Sequence, residues 1–124
     1  MIKGTGIDIV DIDDIKASIK QSKRFITKVF TPDEIDYCEQ KPFKYHHYAG
    51  RFAAKEAAMK ALGTGWNNGI SWKQIEIVNN DAGKPDIVFH KQAKLLIDKQ
   101  NVKSVHLSIS HANQYATAIV ILES

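Results

Sequence analysis

Residues 51–65, RFAAKEAAMKALGTG, constrain this chain more than any other stretch. Ala53, Ala54, Ala57, Ala58 and Ala61 make it a strong helix former and a poor strand. Gly63 and Gly65 then supply the left-handed residues that end a last turn. Small side chains let a second backbone approach closely, so the helix is expected at the centre of the fold. Four charges interrupt the alanines: Arg51, Lys55, Glu56 and Lys60. Glu56 and Lys60 stand four apart and share a face. Arg51 lies about 140° round the helix from Glu56 and reaches the same place from the side. From this segment alone, a plain surface ion pair and a set of charges assembled for chemistry are equally open.

The rest of the chain narrows the choice. Its 124 residues fit one domain, 1–124, with 44% apolar and 25% charged residues, as in ordinary soluble proteins. No apolar run reaches the ~20 residues of a membrane span, and MIKGTGIDIVDID is unlike a signal peptide. A lone Cys38 excludes an internal disulfide and a multi-thiolate metal site, so a reducing cytoplasm is the expected compartment. A net charge of +3 is too mild to argue for nucleic acid. The charge is uneven, however: Lys16, Lys20, Lys23, Arg24 and Lys28 have no acid among them. Such a run is either a solvated face or a dock for an acidic partner.

Residues 2–11 alternate as a strand, with Ile7 and Ile9 on one side and Gly4, Gly6, Asp8 and Val10 on the other. Asp8 interrupts a strand otherwise built for burial, with two glycines leaving space on its own face. It is either an edge or turn residue or a ligand for a cation or phosphate. Asp11, Asp13 and Asp14 cap a helix carried by Ile12, Ile15 and Ile19. A short amphipathic piece, KRFITKVF, comes next. Thr31-Pro32-Asp33-Glu34 has the residues of a capping box opening a helix to about Glu39. The alanine-rich helix runs from Phe43 or Lys44 to Leu62. His46 and His47 are adjacent rather than four apart, so they read as ordinary surface or packing histidines. Beyond Gly69, residues 72–79 and 86–90 form a hairpin about Asn80–Gly83, and 91–101 a short helix. Val105–Ser110 and Ala116–Leu122 are strands joined by His111–Gln114. Helices first and antiparallel strands later predict an α+β fold, helices packed on a sheet.

Asp8 and Glu56 are the carboxylates best placed outside any surface charge run. Two such oxygen donors suit Mg²⁺, which keeps waters and takes other ligands from substrate phosphates. Lys60 and Arg51 would neutralise phosphate charge, and Ser110-His111 would hydrogen-bond a phosphate or a nucleotide ring. That apparatus belongs to phosphoryl transfer. No GxxxxGK[ST] pattern exists, which excludes P-loop ATP hydrolysis.

GIDIVDI at 6–12, RFAAKEAAMKALGTG at 51–65 and LSISH at 107–111, with FTPDE at 30–34 and GKP at 83–85, resemble the holo-acyl-carrier-protein synthase family. This is the small bacterial type of 4′-phosphopantetheinyl transferase, and the resemblance covers essentially the whole chain. It implies transfer of 4′-phosphopantetheine from coenzyme A to a serine of apo-acyl carrier protein, with Asp8 and Glu56 as Mg²⁺ ligands. It also implies Lys60 on the phosphates, and Arg51, Gly63, Ser110 and His111 in the coenzyme A pocket. Glu56 is the expected acceptor of the serine proton. A homotrimer with active sites shared between protomers is implied, and neither a nucleic acid nor a membrane as partner. The sequence departs from the family in one respect. Asp13 and Asp14 occupy early helix turns where the family is basic, which shifts the expected carrier dock to Lys16, Lys20, Lys23 and Arg24. The alternative reading, a Mg²⁺-dependent nucleotide diphosphate hydrolase, uses the same Asp8, Glu56 and Lys60 with water in place of the carrier serine.

Overall fold

The computed structural model describes residues 1–63, 65, 66 and 69–124; Thr64, inside the glycine-terminated motif, lies outside the described residues. Strand β1 (Ile2–Asp11) leads into α1 (Ile12–Gln21), α2 (Lys23–Val29), α3 (Pro32–Glu39) and the long α4 (Lys44–Leu62). A 3₁₀ turn over Trp72–Gln74 then opens β2 (Ile75–Asn79), followed by β3 (Pro85–Phe89), α5 (Lys91–Lys99), β4 (Ser104–His111) and β5 (Tyr115–Glu123). β5 lies between β1 and β4 in an antiparallel sheet, and β2 and β3 form a separate hairpin. The expected α+β class is therefore the observed one.

The caps behave as their residues dictate. Asp11 accepts from the Asp13 amide, and Thr31 and Glu34 form the reciprocal box. Gly63, at φ 81°, closes α4 in the left-handed region.

The alanines of α4 are buried, and β1 lies directly on them. A Cβ at Gly6 would sit inside the Ala57 carbonyl oxygen, and one at Gly4 inside that of Ala61. The two glycines thus do not leave space beside Asp8, as the sequence suggested. Helix backbone fills it, because only glycine permits so close an approach. The consequence for β1 is also the reverse of expectation: its glycine face is covered, while Ile7 and Ile9 are 63% and 66% exposed. At the other edge of the sheet, on the same face, Gly50 lets α4 pass β4, where a Cβ would stand 2.9 Å from Ile109 Cγ2.

The core has two parts. One joins the α4 alanines to β2, β3, α5 and the buried residues of β4 and β5. The other packs Phe30, Cys38 and Tyr48 among α1, α2, α3 and α4. Burial pushes the Cys38 thiol up to about 12, which leaves it inert.

Between the two parts lies a buried ion pair. Lys55 Nζ donates to Glu34 Oε1 at 2.8 Å, to the Trp72 carbonyl at 3.0 Å and to the Ile75 carbonyl at 2.7 Å. Glu34 Oε1 also accepts from the Thr31 amide, and Oε2 from the Ile77 amide. Both side chains are fully buried. Burial pulls the Lys55 pKa below its ordinary value, against the opposing pull of Glu34. Lys55→Met should therefore cost about 3–5 kcal/mol, because it strands a buried carboxylate and two carbonyls. Urea unfolding measures this, and a loss no larger than that of an exposed lysine would refute the role given to the pair.

Candidate functional site

Asp8 reaches the site from β1 and Lys60 from the last turn of α4. Lys60 Nζ donates to Asp8 Oδ1 at 3.0 Å and to the Ile7 carbonyl at 2.9 Å. The i,i+4 pair with Glu56 that the helix spacing allowed is not made, since β1 offers Lys60 a carboxylate and a carbonyl together. The Lys60 side chain stays 55% exposed, so the pair is weak and its charge is available to a ligand.

Glu56, one turn earlier, is held by two indoles instead. Trp66 Nε1 donates to both of its oxygens, at 3.2 and 3.1 Å, and Trp72 Nε1 to Oε1 at 3.2 Å. The rings lie 4.7 Å apart with a 31° tilt. Asp8 and Glu56 thus bring oxygen donors from two elements in direct contact. That donor set fits a hard divalent cation, while among the described residues no cluster of three or more His, Cys, Asp or Glu is arranged to hold a metal.

The second group of expected residues lies elsewhere. Arg51 is buried; its Nη2 donates to Asn79 Oδ1 and its guanidinium stacks 3.9 Å from the Tyr37 ring centroid. Among the described residues, its Nε has no partner. Beside it, His111 meets His46 at 5.4 Å and His47 at 5.6 Å between ring centroids. These residues line a pocket of about 240 Å³ with Gly50, Gly83, Pro85 and Ile109. Of the surface and packing roles that their adjacency left open, His46 and His47 take the packing one. Both rings turn to a histidine that only the fold brings near.

Ser110 and His111 part company. His111 follows Ile109 onto the α4 side, whereas Ser110 pairs with Thr117 on the face that carries Ile9. Asp8, Ala118 and Ile109 form one cross-strand row, so the carboxylate and the histidine pocket occupy opposite edges of the three-stranded sheet. Gly63 is an exposed helix cap. Tyr37, Asn79, Trp66 and Trp72 were not read from the sequence. Each comes from a different part of the chain and shares no helical or strand spacing with the residues it contacts.

A larger groove lies at neither place. About 730 Å³ in volume, it runs along α1 and α2 between Ser18, Arg24, Phe25 and Lys28, with Lys73 on its other wall. Lys20, Lys23 and Arg24 are exposed, while Lys16 is half-buried against the Tyr45 ring. Among the described residues, no helix is long and apolar enough to cross a membrane.

The model of the 4′-phosphopantetheinyl transferase superfamily matches residues 4–120. The chain is 46% identical over 125 residues to the holo-[acyl-carrier-protein] synthase of Solibacter usitatus, covering all of both chains. It is 47% identical to that of Koribacter versatilis, over 99% of each. Among solved structures, it superposes on the Neisseria meningitidis synthase with a TM-score of 0.92 at 33% identity, over the whole of both chains. The Helicobacter pylori synthase, solved with coenzyme A, matches with a TM-score of 0.84 at 34% identity, over 96% of this chain and 99% of that one.

The pocket electrostatics predict a pH effect. Burial holds the His47 pKa below its usual value, and His111, Lys41, Arg51 and His46 add to the shift. The unfolded chain therefore takes this proton first, so the native state is fully favoured above the unfolded pKa and loses stability as pH falls through the window below it. His47→Gln should flatten the drop in unfolding free energy between about pH 7.5 and 5.5. An unchanged drop would move its cause to another group.

Proposed function

The chain belongs to the 4′-phosphopantetheinyl transferase superfamily, and from that membership we propose that it moves 4′-phosphopantetheine from coenzyme A to a serine hydroxyl of apo-acyl carrier protein. Adenosine 3′,5′-bisphosphate is the other product. The full-length match to the named synthases carries this reading. Its direct test is the mass of apo-acyl carrier protein after incubation with the protein, coenzyme A and Mg²⁺. Steady release of phosphopantetheine without carrier would favour the hydrolase instead.

Asp8 and Glu56 would hold Mg²⁺, which supplies charge stabilisation to a diphosphate when bound. Lys60, weakly held by Asp8, turns its exposed ammonium to the phosphates. Glu56 is the group assigned the proton of the attacking hydroxyl. Arg51 and His111, in a pocket rich in nitrogen donors, face the nucleotide end of coenzyme A, and Gly63 borders the phosphates. Such a site works by positioning and electrostatics more than by covalent chemistry. The compartment that suits it is the cytoplasm, where the buried Cys38 stays reduced. Asp8→Ala and Glu56→Ala should each abolish transfer and leave the metal-free fold intact; a marked loss of metal-free stability in both would make them structural.

Two features support sharing of the site among the protomers of a homotrimer. The open sheet face carries Ile7, Ile9 and Ile119 at 40–66% exposure, an apolar surface suited to a second copy. Ser110 lies on that face, away from its own chain's His111 pocket. If sites are shared, mixing Lys60→Ala with His111→Ala protein should recover activity as subunits exchange. Ile9→Asp should dissociate the assembly in sedimentation and abolish transfer. A fully active monomer would remove the shared-site reading.

Lys16, Lys20, Lys23 and Arg24 form the dock for the acidic carrier; of these Arg24 lines the groove along α1 and α2, where Lys28 and Lys73 add further positive charge. Asp13 and Asp14, in the first turn of α1, leave the basic residues further along as the contact. Exposed pairs are worth ~0.2–1 kcal/mol each. With repulsion added, reversing Lys20 and Arg24 to glutamate should lower kcat/KM for the carrier about tenfold or more and flatten its salt dependence. KM for coenzyme A should stay in place; a parallel rise would mean that these residues touch the nucleotide.

A further inference from the structure

Glu56 is the one proposed metal ligand whose described partners are all neutral. Lys60 lies a turn away and spends its ammonium on Asp8 and the Ile7 carbonyl. Glu56 accepts from two indole N–H groups instead, which satisfy a carboxylate without cancelling its charge. The acceptance is unequal: Oε1 takes hydrogens from both rings, and Oε2 shares only the bifurcated Trp66 hydrogen.

The indoles are themselves fixed. Trp72 is gripped by consecutive residues of α4, its carbonyl by Lys55 Nζ and its Nε1 by Glu56. Lys28 Nζ stands 5.6 Å from its ring centroid, and the Trp66 ring packs against it at 4.7 Å between centroids. A side chain so tethered can orient a carboxylate. Outer-shell donors of this kind tune metal affinity through ligand direction and basicity.

We propose that Trp66 and Trp72 are positioning residues that orient Glu56 for the cation, keeping its charge uncancelled and Oε2 the less engaged oxygen. The proposal rests on the reading of Glu56 as a metal ligand. It makes the two tryptophans part of the metal site although neither touches the ion.

The chain has two tryptophans, so a ¹H–¹⁵N spectrum of the protein holds two indole signals, each assignable by one substitution. Glu56→Gln should move both signals in the absence of metal. Titration with Mg²⁺, followed on these signals, gives an affinity independent of turnover. Trp66→Phe, read on the Trp72 signal, and Trp72→Phe, read on the Trp66 signal, should each weaken Mg²⁺ about 10–100-fold. Trp66→His, which restores a ring N–H, should regain part of that loss. The dispersion of the remaining indole signal shows that each variant is folded. Native Mg²⁺ affinity in both phenylalanine variants would reduce the indoles to packing, and tighter binding would make them a block on Glu56; either overturns the proposal. If Glu56→Gln itself binds Mg²⁺ as the native protein does, the metal reading falls first, separately from the role of the indoles.

Discussion

The Lys55–Glu34 pair is the interaction on which the arrangement of elements depends. Three acceptors surround one buried ammonium, and they come from α3, from the 3₁₀ turn at Trp72 and from the start of β2. Glu34 in turn holds the α3 N-terminus and the Ile77 amide. A buried charge pair repays its desolvation only when its remaining hydrogen-bond sites are filled, as they are here. The pair therefore acts less as a source of net stability than as a specification. It sets where α3 and the β2–β3 hairpin meet α4, and any other docking would leave a charge unpaired.

That specification passes straight to the site. Lys55 and Glu56 are consecutive, and both hold Trp72, one by its carbonyl and one by its indole. The buried lysine thus anchors the segment that presents an indole to the neighbouring carboxylate. Arg51, one turn before Lys55, is placed beside Asn79 by the same docking of the hairpin.

Contact between β1 and α4 supplies the other half. Gly4 and Gly6 admit the backbone of α4, which brings the end of that helix close enough for Lys60 to reach Asp8. The same packing turns Ile7 and Ile9 outward, so close docking within the chain creates the apolar face on its surface. Asp8 and the His111 pocket consequently stand at opposite edges of a narrow sheet.

Much of this was legible in residues 51–65 and in the motifs around them. Alanine content and terminal glycines made α4 certain as a helix, because propensity and capping are local. The capping box at Thr31, the turn at Asn80–Gly83 and the alternation in β4 are local in the same way. The carboxylates Asp8 and Glu56 stood out because each breaks the pattern of its own element. Partner choice was different, since it depends on which elements meet. Helix spacing allowed Glu56–Lys60, but β1 supplied Lys60 with better acceptors. Glu34 was legible as a cap, yet its pairing with Lys55 is set by the docking of α3 on α4. His46 and His47 acquired a common neighbour only when β4 carried His111 to them. Local chemistry thus determined the elements and the reactive groups, and long-range packing decided which of those groups meet.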